Sequence, residues 1–308
     1  MERERIVIGT RSSKLALWQA DYVAERLREE YPKLRVEKKL MTTKGDRILD
    51  APLAKIGGKG LFTKELETAM LAGEIDLAVH SLKDMPTEIP EGLVISAVTK
   101  RLDGGDALVS SKYPSLAELP PGARVGTSSL RRRAQLLHYR PDLEIRDLRG
   151  NVNTRLRKLE EGDFDAIVLA VAGLRRLGYE DRIAEILSRD IILPAVGQGA
   201  LAVETREDAE IRERIAFLNH EDTFVCAQAE RAFLAKVEGG CQVPVGVFAE
   251  VEGETLTLEA VIASLDGKRL YRDRENGSRE AAKNLGENLA DRLLEAGGRE
   301  ILKELGVL

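Results

Sequence analysis

Short apolar runs alternate with segments of helical period through most of the chain. Residues 6–9, 77–79 and 93–97 are apolar runs with the length of buried strands. Behind the first of them, apolar positions at helical spacing predict a helix that begins after Ser13 and ends near Tyr31. Strands that alternate with helices are typical of α/β domains built on a largely parallel sheet.

Two pairs of similar segments predict that this α/β unit occurs twice. The sequence IGTRSS at 8–13 is matched by VGTSS at 125–129, and each is a strand that leads through a turn into a helix. The sequence GEIDLAV at 73–79 is matched in the same order by GDFDAIV at 162–168. Matched segments in the same order indicate two related lobes. Asp-Gly-Gly-Asp at 103–106 breaks the pattern between them.

Residues 218–308 have a different pattern. After a first helical stretch, two strand-like runs follow at 245–251 and 256–264, and Asp-Gly at 266–267 indicates a hairpin turn. A charged amphipathic helix is predicted at about 278–295. Strands that are grouped before a helix predict a small α+β domain.

Composition limits the class of protein. The 308 residues carry a formal net charge of −5, and 43% are apolar, which excludes a disordered chain. No apolar run approaches the roughly 18 residues of a membrane-spanning helix, and the N-terminus leads into a strand and not into a signal sequence. We therefore expect a cytoplasmic protein with no membrane partner. Two cysteines and three scattered histidines make neither a disulfide framework nor a metal-ligand pattern, so no metal site is expected.

The strongest candidate for chemistry is a basic segment in an acidic protein. Residues 124–158 contain nine arginines and one lysine against three acids. Arg131 and Arg132 follow Thr127 and Ser129 at a predicted helix start, where free backbone N–H groups and hydroxyls favour an anion. Arginine adds planar, bidentate recognition of carboxylate or phosphate.

The same arrangement recurs at two other predicted helix starts. Arg149 and Arg155 flank the next one in the second lobe, and Arg11 with Ser13 lies at the corresponding place in the first lobe. Two lobes with such helix starts predict a polyanionic ligand in the cleft between them. The alternative is that the arginines form a solvated helix face, although surfaces usually intersperse charges of both signs.

Small-molecule carboxylates are the favoured anion. A nucleic-acid partner is disfavoured because aromatic residues are only 4% of the chain and the protein is acidic overall. A nucleotide is disfavoured because the glycine-rich stretch 57–60 lacks the Ser or Thr of a phosphate-binding loop. Lys55 and Phe62 flank this stretch, which is either a loop that folds over an anionic ligand or an ordinary surface loop.

A second candidate lies just after the predicted strand 77–79. Ser81, Lys83 and Asp84 fall at the carboxyl end of that strand, where α/β sheets bind their ligands. Asp84 has the chemistry to stabilise a developing cation or to move a proton, and Lys83 to bind an acid group. The alternative is that Asp84 only caps a turn before Pro86.

The two cysteines are predicted to differ in role. Cys241 follows two glycines in a predicted turn and is the better candidate for a nucleophile or an attachment point. Cys226 falls in an apolar helical stretch and is predicted to be a buried packing residue. No histidine is near Cys241 in sequence, so no Cys–His pair is inferred.

Together these motifs resemble those of the hydroxymethylbilane synthase (porphobilinogen deaminase) family. The matching segments, in family order, are IGTRSSKLAL (8–17), IGGKGLF (56–62), AVHSLKD (78–84), VGTSSLRR (125–132), LRGNVNTR (148–155), LPAVGQGA (193–200), ERAFL (230–234) and GGCQVPVG (239–246). They span nearly the whole chain, and no motif position departs from the family pattern.

The resemblance implies two periplasmic-binding-protein-like α/β domains plus a smaller α+β C-terminal domain. The expected boundaries are 1–99 for the first domain, completed by 200–217, then 100–199 and 218–308. The resemblance also implies a dipyrromethane cofactor that Cys241 holds through a thioether. In the implied reaction, four porphobilinogen molecules add head to tail, each with loss of ammonia. Water then releases 1-hydroxymethylbilane for tetrapyrrole biosynthesis.

Roles for the candidate residues follow from the same resemblance. Asp84 matches the catalytic carboxylate, Lys55 and Phe62 match a loop over the site, and Gln198 lies near it. The positions that match carboxylate-binding residues are Arg11, Ser13, Ser81, Lys83, Thr127, Ser129, Arg131, Arg132, Arg149, Arg155 and Arg176.

A monomer with porphobilinogen as its substrate and no nucleic-acid partner is expected. The fold alone leaves open a non-catalytic, two-lobed protein that binds anions. Such a binding module has no need of Cys241 in a separate third domain. A nucleic-acid binder is the weaker third alternative.

Overall fold

The structure, a computed structural model, describes residues 4–47, 63–237 and 243–308. Lys55, Phe62 and Cys241 of the predicted site lie outside the described residues. Within those three ranges, no helix combines the length and the apolar character that crossing a bilayer requires.

The described elements are thirteen strands and ten α-helices, and a 3₁₀ turn at Leu82–Asp84 follows β3 directly. The strands are β1 (Arg5–Arg11), β2 (Arg35–Met41), β3 (Leu77–Ser81), β4 (Leu93–Val98), β5 (Asp106–Val109), β6 (Arg124–Gly126), β7 (Glu144–Arg146), β8 (Ala166–Ala170), β9 (Ile183–Ile186), β10 (Leu201–Arg206), β11 (Val245–Glu252), β12 (Thr255–Ala263) and β13 (Leu270–Ser278). The helices are α1 (Lys14–Glu30), α2 (Lys44–Arg47), α3 (Lys64–Leu71), α4 (Leu130–Tyr139), α5 (Val152–Glu160), α6 (Val171–Arg176), α7 (Ala209–Ile215), α8 (Glu221–Lys236), α9 (Ala282–Leu293) and α10 (Arg299–Glu304).

Two five-stranded sheets have the same topology. Their strand orders are β2-β1-β3-β10-β4 and β7-β6-β8-β5-β9. In each sheet, three parallel strands are followed by a strand that runs antiparallel to both of its neighbours. That antiparallel strand is the first one after the chain crosses from the other sheet, at 99–105 and again at 187–200. The predicted duplication into two α/β lobes is therefore confirmed.

Helices begin at the motifs that the sequence singles out. Ser13, Ser129 and Asn151 are the N-caps of α1, α4 and α5, and the side-chain oxygen of each accepts a backbone N–H from the first turn. Each cap satisfies one of the N–H groups that a helix start leaves unpaired. Helix α1 ends at Glu30 with Tyr31 as its C-cap, as predicted.

The C-terminal part is a third unit with its own core. Strands β11, β12 and β13 form an antiparallel sheet on which α8 and α9 pack. The turn at Asp266 and Gly267 joins β12 to β13, as predicted. Cys226 is 5% exposed and lies in this core beside Phe233, so its predicted packing role is confirmed. The predicted fold class, two α/β domains with a smaller α+β domain, is confirmed.

Three local predictions need correction. The strand predicted at 77–79 continues through Ser81, because His80 and Ser81 still pair with β10. Asp106 is the first residue of β5 and not part of a break in the pattern. Helix α9 covers only Ala282–Leu293 of the predicted helix, with a 3₁₀ turn at Arg279–Ala281 before it and a π-helical turn at Leu294–Gly298 after it. The exact domain boundaries stay a prediction, although β10 pairs with first-lobe strands.

Candidate active site

The two lobes meet at the carboxyl end of β3. Lys83 and Asp84 lie in the 3₁₀ turn directly after that strand. Arg132 at the start of α4 and Arg155 in α5 come within electrostatic range of this turn. The charge of Arg132 acts on both Lys83 and Arg155, and the charge of Asp84 acts on the same two cations. The candidate residues of both lobes therefore share one cleft.

Burial and neighbouring positive charges lower the pKa values of two cations in this cleft. Burial lowers the pKa of Lys83 to about 8, an effect that Asp84 opposes and Arg132 reinforces. Burial likewise lowers the pKa of Arg155 to about 10, and Arg132 lowers it further. Shifts in this direction mean that burial and like charges outweigh the anions that the chain supplies. An anionic ligand in the cleft would stabilise these cations.

Arg131 and Arg132 are buried and are anchored on one carboxylate. They are 4% and 5% exposed, so the alternative of a solvated helix face is wrong for them. Arg131 Nη1 donates to Asp106 Oδ2 at 2.6 Å and to the carbonyl oxygen of Leu193 at 2.7 Å. Arg132 donates to Asp106 Oδ1 from Nε and Nη2, and its Nη1 donates to the carbonyl oxygen of Val168.

Asp106 is the functional residue that sequence reasoning missed. Burial alone would raise its pKa, but the guanidiniums of Arg131 and Arg132 outweigh burial and hold that pKa well below its usual range. The sequence feature that could have indicated such an acid is the excess of positive charge in residues 124–158, which contain nine arginines and only three acids. Buried arginines require a carboxylate from elsewhere in the chain.

Gln198 connects the two lobes at this point. It is 1% exposed, and its Nε2 donates to Asp106 Oδ1 at 3.0 Å and to the carbonyl oxygen of Gly104 at 2.8 Å. Its Oε1 accepts from Lys83 Nζ at 3.4 Å. The amide thus links the first-lobe turn to the second-lobe ion pair.

Four hydroxyls of the predicted site, those of Ser13, Ser81, Thr127 and Ser129, each accept an N–H from the chain. Gln19 Nε2 donates to Ser81 Oγ at 2.8 Å, and the oxygens of Ser13 and Ser129 accept backbone N–H groups as helix caps. A hydroxyl oxygen that accepts an N–H keeps its own O–H for donation. Thr127 Oγ1 accepts from the backbone N–H of Ser129 and keeps its O–H in the same way.

A cavity beside Asp84 collects first-lobe candidates. Arg11, Ser13, Gln19 and Ser81 line it together with Asp84. Asp84 forms part of the wall of this cavity, and Ser81, the N-cap residue of the 3₁₀ turn, makes no side-chain capping hydrogen bond. The alternative role of Asp84 as a turn cap stays a prediction.

The two remaining arginines differ in their surroundings. Arg149 Nη1 is buried, and no group in the described part of the chain accepts a hydrogen bond from it. Arg176 Nη2 donates to the carbonyl oxygen of Gly199 at 2.7 Å, and its guanidinium lies 5.6 Å from the ring centre of Trp18. Burial lowers the pKa of Arg176 to about 10. Arg176 thus joins α6 of the second lobe to α1 of the first.

Fold and cleft define a class: a two-lobed α/β protein with a small third domain and a cleft in which several cations surround Asp84. Among residues 4–47, 63–237 and 243–308, no group of three or more His, Cys, Asp or Glu is placed to hold a metal ion. The chemistry available is recognition of acid groups together with stabilisation of a cation by Asp84.

Comparison with known proteins identifies the family. The family model "Porphobilinogen deaminase, dipyromethane cofactor binding domain" matches residues 6–213, and "Porphobilinogen deaminase, C-terminal domain" matches residues 224–295. The porphobilinogen deaminase of Trichlorobacter lovleyi is 56% identical over 306 residues, which cover 99% of this chain and 98% of that protein. That of Pelotomaculum thermopropionicum is 57% identical over 304 residues, covering 98% and 97%. The chain belongs to the porphobilinogen deaminase family.

Solved structures of similar shape are more distant. A nutrient-binding protein from Burkholderia cenocepacia bound to methionine is 16% identical at a TM-score of 0.43, covering 68% of this chain and 89% of that chain. The periplasmic aliphatic sulphonate-binding protein of Escherichia coli is 15% identical at a TM-score of 0.41, covering 76% and 70%.

Proposed function

We propose that this cleft carries out the reaction of its family, the synthesis of 1-hydroxymethylbilane from four porphobilinogen molecules. The observation that carries the proposal is the meeting of Asp84 and Lys83 from the first lobe with Arg132 and Arg155 from the second. Asp84 among these cations suits a substrate that is a polycarboxylate and becomes a cation during reaction.

Asp84 is the proposed catalytic residue. Each addition breaks the C–N bond of a porphobilinogen aminomethyl group, and ammonia leaves with the electron pair. The remaining methylene carries positive charge that is delocalised onto the pyrrole nitrogen. A carboxylate at that nitrogen stabilises the cation and can take up the proton that is released once the new C–C bond forms.

The acid groups of the substrate are proposed to bind the surrounding cations and hydroxyls. Each pyrrole carries an acetate and a propionate, so the ligand gains carboxylates with every addition. The unpartnered Nη1 of Arg149 and the ammonium of Lys83, which is partly exposed in the cleft, fit such groups. The further proposed ligands of these acids are Arg11, Ser13, Ser81, Thr127, Ser129, Arg131, Arg132, Arg155 and Arg176, with Gln198, Lys55 and Phe62 nearby.

The family model names a dipyrromethane cofactor, and the cleft fits its acid groups. When bound, the dipyrromethane supplies the pyrrole carbon to which the first substrate molecule adds. Arg149 and Arg155 are proposed to hold its carboxylates, since neither cation is fully matched by the chain's own anions. We propose Cys241 as its thioether attachment. Burial raises the pKa of the alternative, Cys226, to about 12, which keeps that thiol protonated and unreactive at neutral pH.

We also propose a cytoplasmic monomer that binds no nucleic acid, with domains at 1–99 plus 200–217, 100–199 and 218–308. The net charge of −5 disfavours non-specific binding of nucleic acid.

The proposed function is tested by following porphobilinogen consumption and ammonia release. The proposal predicts that one ammonia is released for every porphobilinogen consumed and that 1-hydroxymethylbilane forms. A protein that binds porphobilinogen without releasing ammonia contradicts it and supports a binding module.

A further inference from the structure

Two buried carboxylates lie behind the candidate active site, outside the proposed machinery. Glu67 on α3 is 7% exposed, and Glu204 on β10 is fully buried. Helix α3 packs against both β3 and β10, so the two side chains are close enough for each charge to act on the other. Glu204 Oε2 lies 2.9 Å from His80 Nε2 on β3.

Each carboxylate has one oxygen that the chain leaves unsatisfied. Oε1 of Glu67 and Oε1 of Glu204 are both buried, and neither has a hydrogen-bond partner among the described residues. The charged groups that face Glu67 are His80 from β3, Glu204 from β10 and the exposed Lys64 on its own helix. One buried imidazole is too little positive charge for two buried carboxylates.

This arrangement of two buried carboxylates favours the protonation of one of them. Two neighbouring carboxylates in a dry site do not both ionise readily, because burial and like charge each disfavour the second negative charge. A proton on Glu67 removes one of the two buried negative charges and makes that carboxyl a hydrogen-bond donor. Burial raises the pKa of Glu67, the Thr63 hydroxyl lowers it, and Glu204 raises it again, with a net rise.

We propose that Glu67 holds a proton at neutral pH and, with Glu204 and His80, forms a unit that fixes α3 to the sheet behind the active site. His80 and Leu66, the neighbour of Glu67, line the same cavity as Asp84. Glu67, Glu204 and His80 are thus positioning residues, since they act through the cavity wall. The role of these residues in turnover rests on the proposed function, whereas the proton on Glu67 does not.

The first test is infrared spectroscopy of the full-length protein at pH 7. The expected result is a carbonyl stretching band of a buried protonated carboxyl in the wild type that disappears in Glu67→Gln. The exposed Glu25→Gln variant is the matched control and should keep the band. A wild-type spectrum without a protonated carboxyl overturns the proposal, whether or not any variant folds.

The second test measures unfolding free energy against pH. A folded pKa above the ordinary value of 4.5 means that the folded state binds more protons, so stability falls as pH rises from that value. Glu67→Gln, whose amide donates as the protonated acid does, should lose this part of the decline. An unchanged decline overturns the proposal.

The positioning role has its own readout. Glu67→Ala removes the buried carboxyl of Glu67 and should lower kcat/KM, whereas Glu67→Gln, which keeps a neutral donor there, should retain wild-type kcat/KM. Equal losses in both variants contradict a protonated Glu67. If neither the wild type nor any variant turns over porphobilinogen, the proposed function fails, and the infrared and stability results still test whether Glu67 is protonated.

Discussion

Arg132 and Asp106 form a buried ion pair that supports the wall of the cleft. Arg132 Nη2 and Nε donate to Asp106 Oδ1 at 2.6 and 3.0 Å. The side chain of Asp106 is fully buried, and that of Arg132 is 7% exposed. The carboxylate also accepts hydrogen bonds from Arg131 and from Gln198 Nε2, so three polar side chains depend on one acid.

We predict that Asp106→Asn is strongly destabilising. Removing the charge leaves two buried guanidiniums without their anion, which typically costs about 3–5 kcal/mol in unfolding free energy. Denaturant unfolding measures this loss. The control is Asp142→Asn, which breaks an ion pair with Arg140 at the surface and should cost far less. Equal losses in the two variants would show that the buried pair contributes no more than a surface pair.

Asp84→Asn should remove turnover and keep the fold. Asp84 is partly exposed in the cleft, so its loss should leave the unfolding transition unchanged. A catalytic carboxylate of this kind contributes roughly 10²–10⁴-fold to the rate. Porphobilinogen consumption should fall by that factor, whereas the exposed Asp163→Asn should retain full activity. Near-wild-type activity of Asp84→Asn removes Asp84 from the proposed role.

Lys83 should set an alkaline limit on substrate capture. Its pKa is lowered to about 8, so the ammonium is present below that pH and is lost as pH rises through it. Binding of substrate carboxylates then weakens, and kcat/KM falls above about pH 8. Lys83→Arg keeps its charge and should move the decline to higher pH, whereas the exposed Lys112→Arg should leave the profile unchanged. If the pH dependence of kcat/KM is the same in Lys83→Arg as in the wild type, a group other than Lys83 causes the alkaline decline.

Arg149→Gln should weaken binding without weakening the fold. Because Nη1 of Arg149 has no partner in the described structure, its removal breaks no bond to that nitrogen. Loss of a charge-assisted hydrogen bond to a substrate acid should raise KM by about 10- to 100-fold. Kinetics and thermal unfolding of the same preparation separate the two effects. Unfolding at a lower temperature with an unchanged KM would contradict this assignment.

Local signals explain what the sequence could predict. The caps Ser13, Ser129 and Asn151 are followed directly by the helices they start, so motif and element are neighbours in the chain. The matched segments likewise predicted the duplicated lobes. Each of these signals lies within a few residues of the structure it predicts.

Long-range pairs explain what the sequence could not predict. Asp106 lies 26 residues from Arg132, and His80 lies 124 residues from Glu204. Strand pairing and the two chain crossings create these contacts, and no local pattern encodes them. Asp106 was predicted to lie in a break of the pattern, whereas it is the first residue of β5. Gln19 was missed for the same reason, since it meets Ser81 only once α1 packs on β3.

The two cysteines offer a matched pair of substitutions. Cys241→Ser should prevent covalent attachment of the cofactor, because a hydroxyl is a far weaker nucleophile than a thiolate at neutral pH. Cys226→Ser should still carry the cofactor, since Cys226 is buried in the C-terminal core and burial raises its pKa. Mass spectrometry of both variants checks this. A covalent pyrrole on the Cys241→Ser protein contradicts the proposed attachment.

The intact mass of the purified protein, before and after incubation with porphobilinogen, tests the central claim most directly. The account predicts a mass excess of two linked pyrrole units that maps to the peptide containing Cys241 and reacts with a pyrrole-specific colour reagent. Protein isolated without the cofactor should gain it from porphobilinogen. A mass that stays at that of the bare chain after incubation contradicts the account and leaves a non-catalytic anion-binding protein as the better description.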